Sequence, residues 1–224
     1  MKKIINITIC ALAFVFLTST SFSIDMPKVP GIGKKDGGGG GDIDIESLAK
    51  SQGQLVGQMS AALSNLAQAQ SKFLEAFGLK KEADALLKTT ELLKDGETTP
   101  KKNLEKASKN VVDSQVLIDE KIKQGKIDAE GKIKFAEGLP PYGKGSINMV
   151  GAGMESIELF KSLKGTKDLT VIRKLGSLIY LGKNAPKLIS TFSKATSTIS
   201  EFNSKNEIPE PKEFKDSVAS MDDV

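Results

Sequence analysis

The chain has 224 residues, of which 39% are hydrophobic and 27% charged, and its formal net charge is +4. It contains no His and no Trp, and its single Cys is Cys10. This composition excludes a Ser-His-Asp triad, an imidazole metal ligand, a thiolate zinc cluster and an intramolecular disulfide. The charge is too small to indicate binding to nucleic acid.

The first 23 residues have the composition of a secretory signal peptide. Lys2 and Lys3 precede an apolar stretch at residues 4–17, and small residues follow up to Ser23. The apolar stretch is shorter than the about 20 residues that a membrane-spanning helix needs. The sequence therefore predicts an exported protein, periplasmic or secreted, that is cleaved after Ser23.

The rest of the chain divides into a linker, a helical domain and a tail. Residues 24–41 contain prolines and five consecutive glycines, which predict a flexible linker. Residues 42–206 have helical periodicity and are predicted to form the helical domain. Residues 207–224 contain two prolines and six acidic residues, and we expect them to be an acidic disordered tail.

A coiled-coil-like pattern predicts a long first helix that begins near residue 42 and ends at Gly78. Apolar residues recur every seven positions from Leu48 to Ala76, and Met59, Leu66 and Phe73 lie four positions after three of them, over about four heptads. Because such a seam packs against another helix, it is our candidate interaction surface, and its residues are Leu48, Leu55, Met59, Leu66 and Phe73.

Three shorter segments follow. Residues 80–94 and 101–124 have helical periodicity, whereas residues 126–137 alternate like a strand but have the composition of a helix, and we assign them as a helix. The second of these helices has the clearest apolar stripe, which consists of Leu104, Ala107, Val111, Gln115, Ile118 and Ile122.

The double proline Pro140-Pro141 predicts a break at residues 138–145, since proline disfavours helix interiors and favours extended backbone before it. The run from Gly138 also spells G-x-x-x-x-G-K. A phosphate-binding loop has Ser or Thr after that Lys, whereas this chain has Gly145, and the prolines remove two backbone donors. We therefore predict a boundary between subdomains or the turn of a helical hairpin, and no nucleotide site.

Beyond this break the pattern predicts helices at residues 146–164, 169–181 and 185–206. The first should bury Ile147, Val150, Met154, Ile157 and Phe160. The last should bury Leu188, Phe192, Ala195, Ile199 and Phe202. The predicted fold class is thus all-α, a helical bundle of about six or seven helices with a long coiled-coil-like first helix.

The segment at residues 147–189 has a second interpretation. It is rich in glycine and apolar residues and is interrupted by lysines, a pattern found in the centre of bundles and, less often, in helices that lie on a lipid surface. The candidate membrane or lipid face consists of Ile172, Leu175, Leu178 and Ile179.

Acidic residues give no convincing chemical site. Asp42, Asp44 and Glu46 are too few to form a calcium site and suit a helix N-terminus better. Glu155 and Glu158 lie three apart on one helical face, whereas a glycosidase needs carboxylates on both sides of a cleft. We expect no catalytic residue, no metal and no cofactor.

These observations predict a non-catalytic helical protein of the bacterial cell envelope. It would bind a protein partner or itself, in a structural, adaptor or chaperone-like role. The alternative is a helical carrier of a lipid or another hydrophobic ligand, or a membrane-active protein of the pore-forming kind. Neither function involves nucleic acid.

Overall fold

The computed structural model describes residues 45–163 and 169–222, which contain seven α-helices and no β-strand. The predicted all-α helical bundle is therefore confirmed, while the predicted signal peptide and linker lie outside the described residues. Two short 3-10 turns, Thr90–Leu93 and Gly96–Thr98, join α2 to α3. The helices are α1 (Ile45–Ala76), α2 (Lys80–Leu87), α3 (Lys101–Gln124), α4 (Ala129–Ser162), α5 (Leu169–Lys174), α6 (Gly176–Asn206) and α7 (Lys212–Asp222).

The long first helix is confirmed, and it lies at the centre of the bundle. It packs most extensively against α4 and also contacts α2, α3 and α6. Its buried side chains include Leu55, Leu66 and Phe73, and the Phe73 ring stacks on Phe135 of α4 with 4.2 Å between the ring centroids. The apolar seam that the sequence shows is thus the inner surface of this helix.

The second and third predicted helices form with small differences. α2 ends at Leu87, and the expected continuation to residue 94 is a 3-10 turn instead. α3 has the predicted bounds, and every residue of its predicted stripe is buried. Gly125 ends α3 with φ of +69°, a left-handed conformation that glycine adopts without strain.

The predicted break at residues 138–145 is wrong, because α4 continues through Pro140 and Pro141. Each proline removes one hydrogen bond to the preceding turn. The helix is nevertheless held by its close contact with α1: a Cβ atom on Gly138 would lie 2.5 Å from Cε1 of Phe73, and one on Gly145 would lie 2.9 Å from Cγ of Leu66. Packing of the glycine-lined face outweighs the lost hydrogen bonds.

The glycines also change which face of α4 is buried. Of the residues predicted to point inward after the prolines, Val150 is buried, but Met154 is 49% exposed. Ile147, Ile157 and Phe160 are partly exposed. The smaller side chains turn inward because they permit closer packing, and they are Met149, Ala152, Gly153, Ser156 and Leu159.

The joint between α5 and α6 lies at Leu175, earlier in the chain than the break that we predicted after residue 181. α6 then continues through Pro186, and its predicted inward residues are all buried. Gln52 of α1 stabilises the joint: its Nε2 donates to the Lys174 carbonyl at 3.1 Å, and its Oε1 accepts from the Leu178 N–H at 3.0 Å. A distant side chain thus caps the start of α6.

The predicted disordered tail is also wrong over most of its length, because residues Lys212–Asp222 form α7. Phe214 and Met221 of α7 and Ile208 before it are buried, and their burial stabilises a segment that its charge would leave unfolded. Glu210 fixes the connection to α6, since its Oε1 accepts from Ser200 Oγ at 2.9 Å and from Asn203 Nδ2 at 3.1 Å.

Candidate functional site

α4 and α6 run antiparallel and form a furrow, which we call the trough. Phe135 near the start of α4 contacts Phe202 near the end of α6, with 5.0 Å between ring centroids. Near the other end of α4, Phe160 lies against Gly182, where a Cβ atom would be 2.3 Å from the Cβ of Phe160. The two helices therefore stay in close contact along most of their length.

The first half of the trough holds α7. A Cβ atom on Gly143 of α4 would lie 2.1 Å from the carbonyl oxygen of Glu213, so the backbones of α4 and α7 touch there. The Phe214 ring lies 6.1 Å from the Tyr142 ring. Met221, at the other end of α7, is buried in a small apolar cluster with Val150 and Ile189. α7 therefore runs parallel to α4.

The second half of the trough is unfilled among the described residues, and we call it the open groove. Its volume is about 500 Å³. It shares Ile157 and Ile189 with the cluster that seats Met221, so it continues the surface on which α7 lies. The lining residues are Met154, Ile157, Glu158, Lys161, Pro186, Ile189, Ser190, Ser193 and Lys194.

The floor of the open groove is apolar and its edges are charged. Lys161 and Lys194 place positive charge on the two walls, and Glu158 adds one carboxylate. Burial raises the pKa of the neighbouring Glu155 above its ordinary value of 4.5, and the Glu158 carboxylate raises it further. Because its floor is apolar and its edges carry Lys161, Lys194 and Glu158, the open groove suits a ligand that has an apolar face and polar edges.

A buried polar chain links α1 to α3 on another side of the bundle. Gln70 Nε2 donates to Gln115 Oε1 at 2.8 Å, and Gln115 Nε2 donates to Asp119 Oδ1 at 2.8 Å. Burial raises the pKa of Asp119 above its ordinary value of 3.8, while the bond from Gln115 and the charge of Lys123 act in the opposite direction. This chain orients α3 on α1.

Tyr142 is the largest fully buried side chain of α4. Burial raises the pKa of its hydroxyl far above the ordinary range, and the nearby hydroxyls of Thr196 and Ser146 offset only part of this rise. Within residues 45–163 and 169–222, neither the Tyr142 hydroxyl nor the Ser146 hydroxyl has a hydrogen-bond partner at bonding distance. The phenol is therefore neutral and enclosed, an environment that suits packing better than acid-base chemistry.

The predicted interaction residues of the first helix lie inside the bundle. Leu55, Met59, Leu66 and Phe73 are buried, and Leu48 is partly buried against the same core. Their neighbours are helices of the same chain. A partner that contacted these side chains would have to open the bundle.

The candidate lipid-facing residues do not share one surface. Leu175 and Leu178 are buried, Ile179 is partly buried against the core, and Ile172 is 42% exposed. Within residues 45–163 and 169–222, no helix is long and apolar enough to cross a membrane. The same residues contain no group of three or more acidic side chains that would hold a metal ion.

Sequence patterns did not identify the open groove. Met154 and Ile157 were predicted to be core residues because they fit the apolar periodicity of α4. Their partial exposure accompanies the burial of the face of α4 that carries Gly145, Ala152 and Gly153. On α6, the exposed Pro186 and Lys194 carry no distinctive motif.

The chain matches no protein-family model, no curated protein and no solved structure in the comparisons that we made. No relative therefore suggests a ligand.

Proposed function

We propose that this protein is an exported, non-catalytic binding protein of the bacterial cell envelope that holds a protein partner in the open groove. One observation carries the proposal: the open groove continues a trough that already holds a helix, α7, in its first half. A structural, adaptor or chaperone-like role is compatible with such a surface.

The apolar side chains of the open groove support a role in binding. Met154 is 49% exposed although it lies between the buried residues Gly153 and Ser156. Ile157 is also partly exposed, next to the buried Ile189. An apolar surface with charged edges is typical of sites that another molecule covers.

The export part of the proposal rests on residues 1–23, and the non-catalytic part rests on composition. A chain without His lacks the commonest general base. The hydroxyl groups in the groove lining are those of Ser190 and Ser193, on α6. The lysines at the edges of the groove suit recognition of a negatively charged partner.

The test is photo-crosslinking in the cells that produce the protein. A photo-reactive benzoylphenylalanine replaces Met154 in the full chain, and a matched variant carries it at Val116 of α3, which is 53% exposed. We expect a protein adduct of defined mass at Met154 and none at Val116. Equal adducts at both positions, or no protein adduct at Met154, would refute the proposal.

The volume of the groove favours one other function, the carriage of a hydrophobic ligand. A groove of about 500 Å³ with an apolar floor and two lysines suits an anionic amphiphile with one acyl chain. Native mass spectrometry of the protein purified from its own compartment tests this function. A mass excess of lipid size that Met154→Asp removes would support the carrier, and a clean mass would exclude it.

A further inference from the structure

We infer that the partner segment is an acidic amphipathic α-helix, which lies in the open groove end to end with α7 and runs in the same direction. This inference rests on the proposed function, and it specifies the chemistry and orientation of the partner. Three properties of the trough lead to it.

The first property is the kind of segment that the trough already holds. Phe214, Ser217 and Met221 of α7 are all buried, and their spacing of three and four residues places them on one helical face. Recognition through residues at positions i, i+3 and i+7 is a common way for a groove to hold an amphipathic helix. The first half of the trough therefore shows which backbone conformation its walls accept.

The second property is the continuity of the walls beyond α7. α7 advances along α4 from Gly143 to Val150, and α4 continues as a helix to Ser162. The groove residues of α4 extend from Met154 to Lys161, which is about 10 Å at 1.5 Å per residue. This length suits about two turns of a further helix on the same line.

The third property is charge. Residues 159–200 contain eight Lys or Arg and a single acidic residue, Asp168. Lys161 and Lys194 line the open groove, and Lys183 and Lys187 are exposed on the same helix as Lys194. The exposed lysines of α4 and α6 attract an acidic partner. α7 itself has three acidic residues and two lysines, so the helix that the trough already holds has a small net negative charge.

Glu158 is the one carboxylate of the groove lining, and it lies on the α4 wall. A partner helix with acidic residues on the edge facing α6 and an uncharged or basic residue facing Glu158 would match both walls. Orientation follows from helix dipoles: a helix parallel to α7 brings its positive N-terminal end toward the negative C-terminal end of α7.

Mapping of the crosslinked segment tests this inference. The adduct formed by benzoylphenylalanine at Met154 is digested and sequenced by mass spectrometry, and a second variant carries the probe at Lys161. We expect both adducts on one partner segment that has a net negative charge and apolar residues three and four apart. The Lys161 adduct should map about two turns further toward the partner's C-terminus.

The outcomes separate this inference from the proposed function. A protein adduct on a basic or non-helical segment would overturn the inference and leave the proposed function standing, and a reversed order of the two adducts would overturn the orientation. An adduct on lipid, or no adduct, would overturn both.

Charge variants provide an independent test of the acidic partner. Lys161→Glu combined with Lys194→Glu should lower the yield of the Met154 adduct at least about tenfold, because the repelled partner associates more slowly and binds less tightly. The matched control is Lys80→Glu with Lys81→Glu on α2, which packs on α1 and α3 and carries the same change of charge. An unchanged yield in the first variant, or an equal loss in the control, would overturn the inference.

Discussion

The Oε1 atom of Gln52 accepts a hydrogen bond of 3.0 Å from the backbone N–H of Leu178, a residue 126 positions further along the chain. Its Nε2 atom donates to the Lys174 carbonyl at the end of α5. One side chain of the central helix thus satisfies backbone groups on both sides of the α5–α6 joint. Gln52 thus acts as a helix cap, although a capping side chain normally comes from the residue next to the helix end.

Gln52→Ala should therefore lower the free energy of unfolding by about 1 kcal/mol, the usual cost of losing a cap. Urea denaturation followed by circular dichroism measures this difference. Gln54→Ala is the control, because Gln54 is exposed on the same helix. Equal stability of the two variants would mean that the joint does not need the Gln52 contacts.

Two glycines of α4 should respond oppositely to alanine. At Gly143 the new Cβ would lie 2.1 Å from the Glu213 carbonyl oxygen, so α7 must move, which should cost about 1–3 kcal/mol. At Gly151 the new Cβ meets nothing within 4 Å, and the variant should gain about 0.5–1 kcal/mol through lower backbone entropy in the unfolded chain.

Thermal denaturation compares these two variants, and limited trypsin digestion at Lys215 reports on α7. Faster cleavage is expected for Gly143→Ala alone. If Gly151→Ala cleaved equally fast, the close contact between α4 and α7 would not be what retains α7.

Tyr142→Phe should leave stability unchanged or raise it by up to about 1 kcal/mol. The hydroxyl is buried without a hydrogen-bond partner among the residues that the structure describes, so its removal relieves a desolvation cost. Phe has the same ring, so the contacts with Phe73 and Phe214 remain. A loss of more than about 1 kcal/mol would show that the hydroxyl is hydrogen-bonded in solution.

Asp119 should make stability depend on pH in a defined direction. Because burial raises its pKa in the folded chain above 3.8, the folded chain holds this proton more tightly than the unfolded chain does. The protonated Asp119 carboxyl therefore adds to the free energy of unfolding. This added stability is fully present below pH 3.8 and is lost as the pH rises through the raised pKa.

Asp119→Asn removes this contribution and keeps an oxygen that accepts from Gln115 Nε2. The stability of the variant relative to the wild type should therefore increase from pH 4 upward and then level off. Ser114→Ala, on the same helix, should show a difference that does not vary with pH. Denaturation curves at a series of pH values decide, and a flat difference for Asp119→Asn would contradict the raised pKa.

The helices that the sequence predicts well are those whose signals are local. α3 begins directly after Pro100 and ends at Gly125, and its stripe has regular spacing between these two residues. The seam of α1 is equally regular, and its burial was predictable. Heptad spacing does not show whether the seam packs against another chain or against its own bundle. That depends on helices more than 60 residues away, such as α4, which carries Phe135.

Where the sequence misleads, tertiary contacts override local preference. Pro140 and Pro141 are poor helix residues, yet α4 gains more from placing Gly138 and Gly145 against α1 than it loses. The tail has the charge of a disordered segment, and only the trough gives Phe214 and Met221 a place to be buried. The open groove depends on the continuous helix α4 and on the packing of α7, and neither was predicted from the sequence. The groove could therefore not be predicted either.

The glycines and prolines of α4 also make its helix depend on packing against α1. An isolated segment with two internal prolines, at about 3 kcal/mol each, and several glycines, at about 1 kcal/mol each, is not helical in water. α4 is therefore helical only while it packs against α1, where Leu66 and Phe73 contact its glycine face. The α4 wall of the trough thus exists only in chains whose α1 and α4 have packed together, and a partner that recognises this wall selects folded chains.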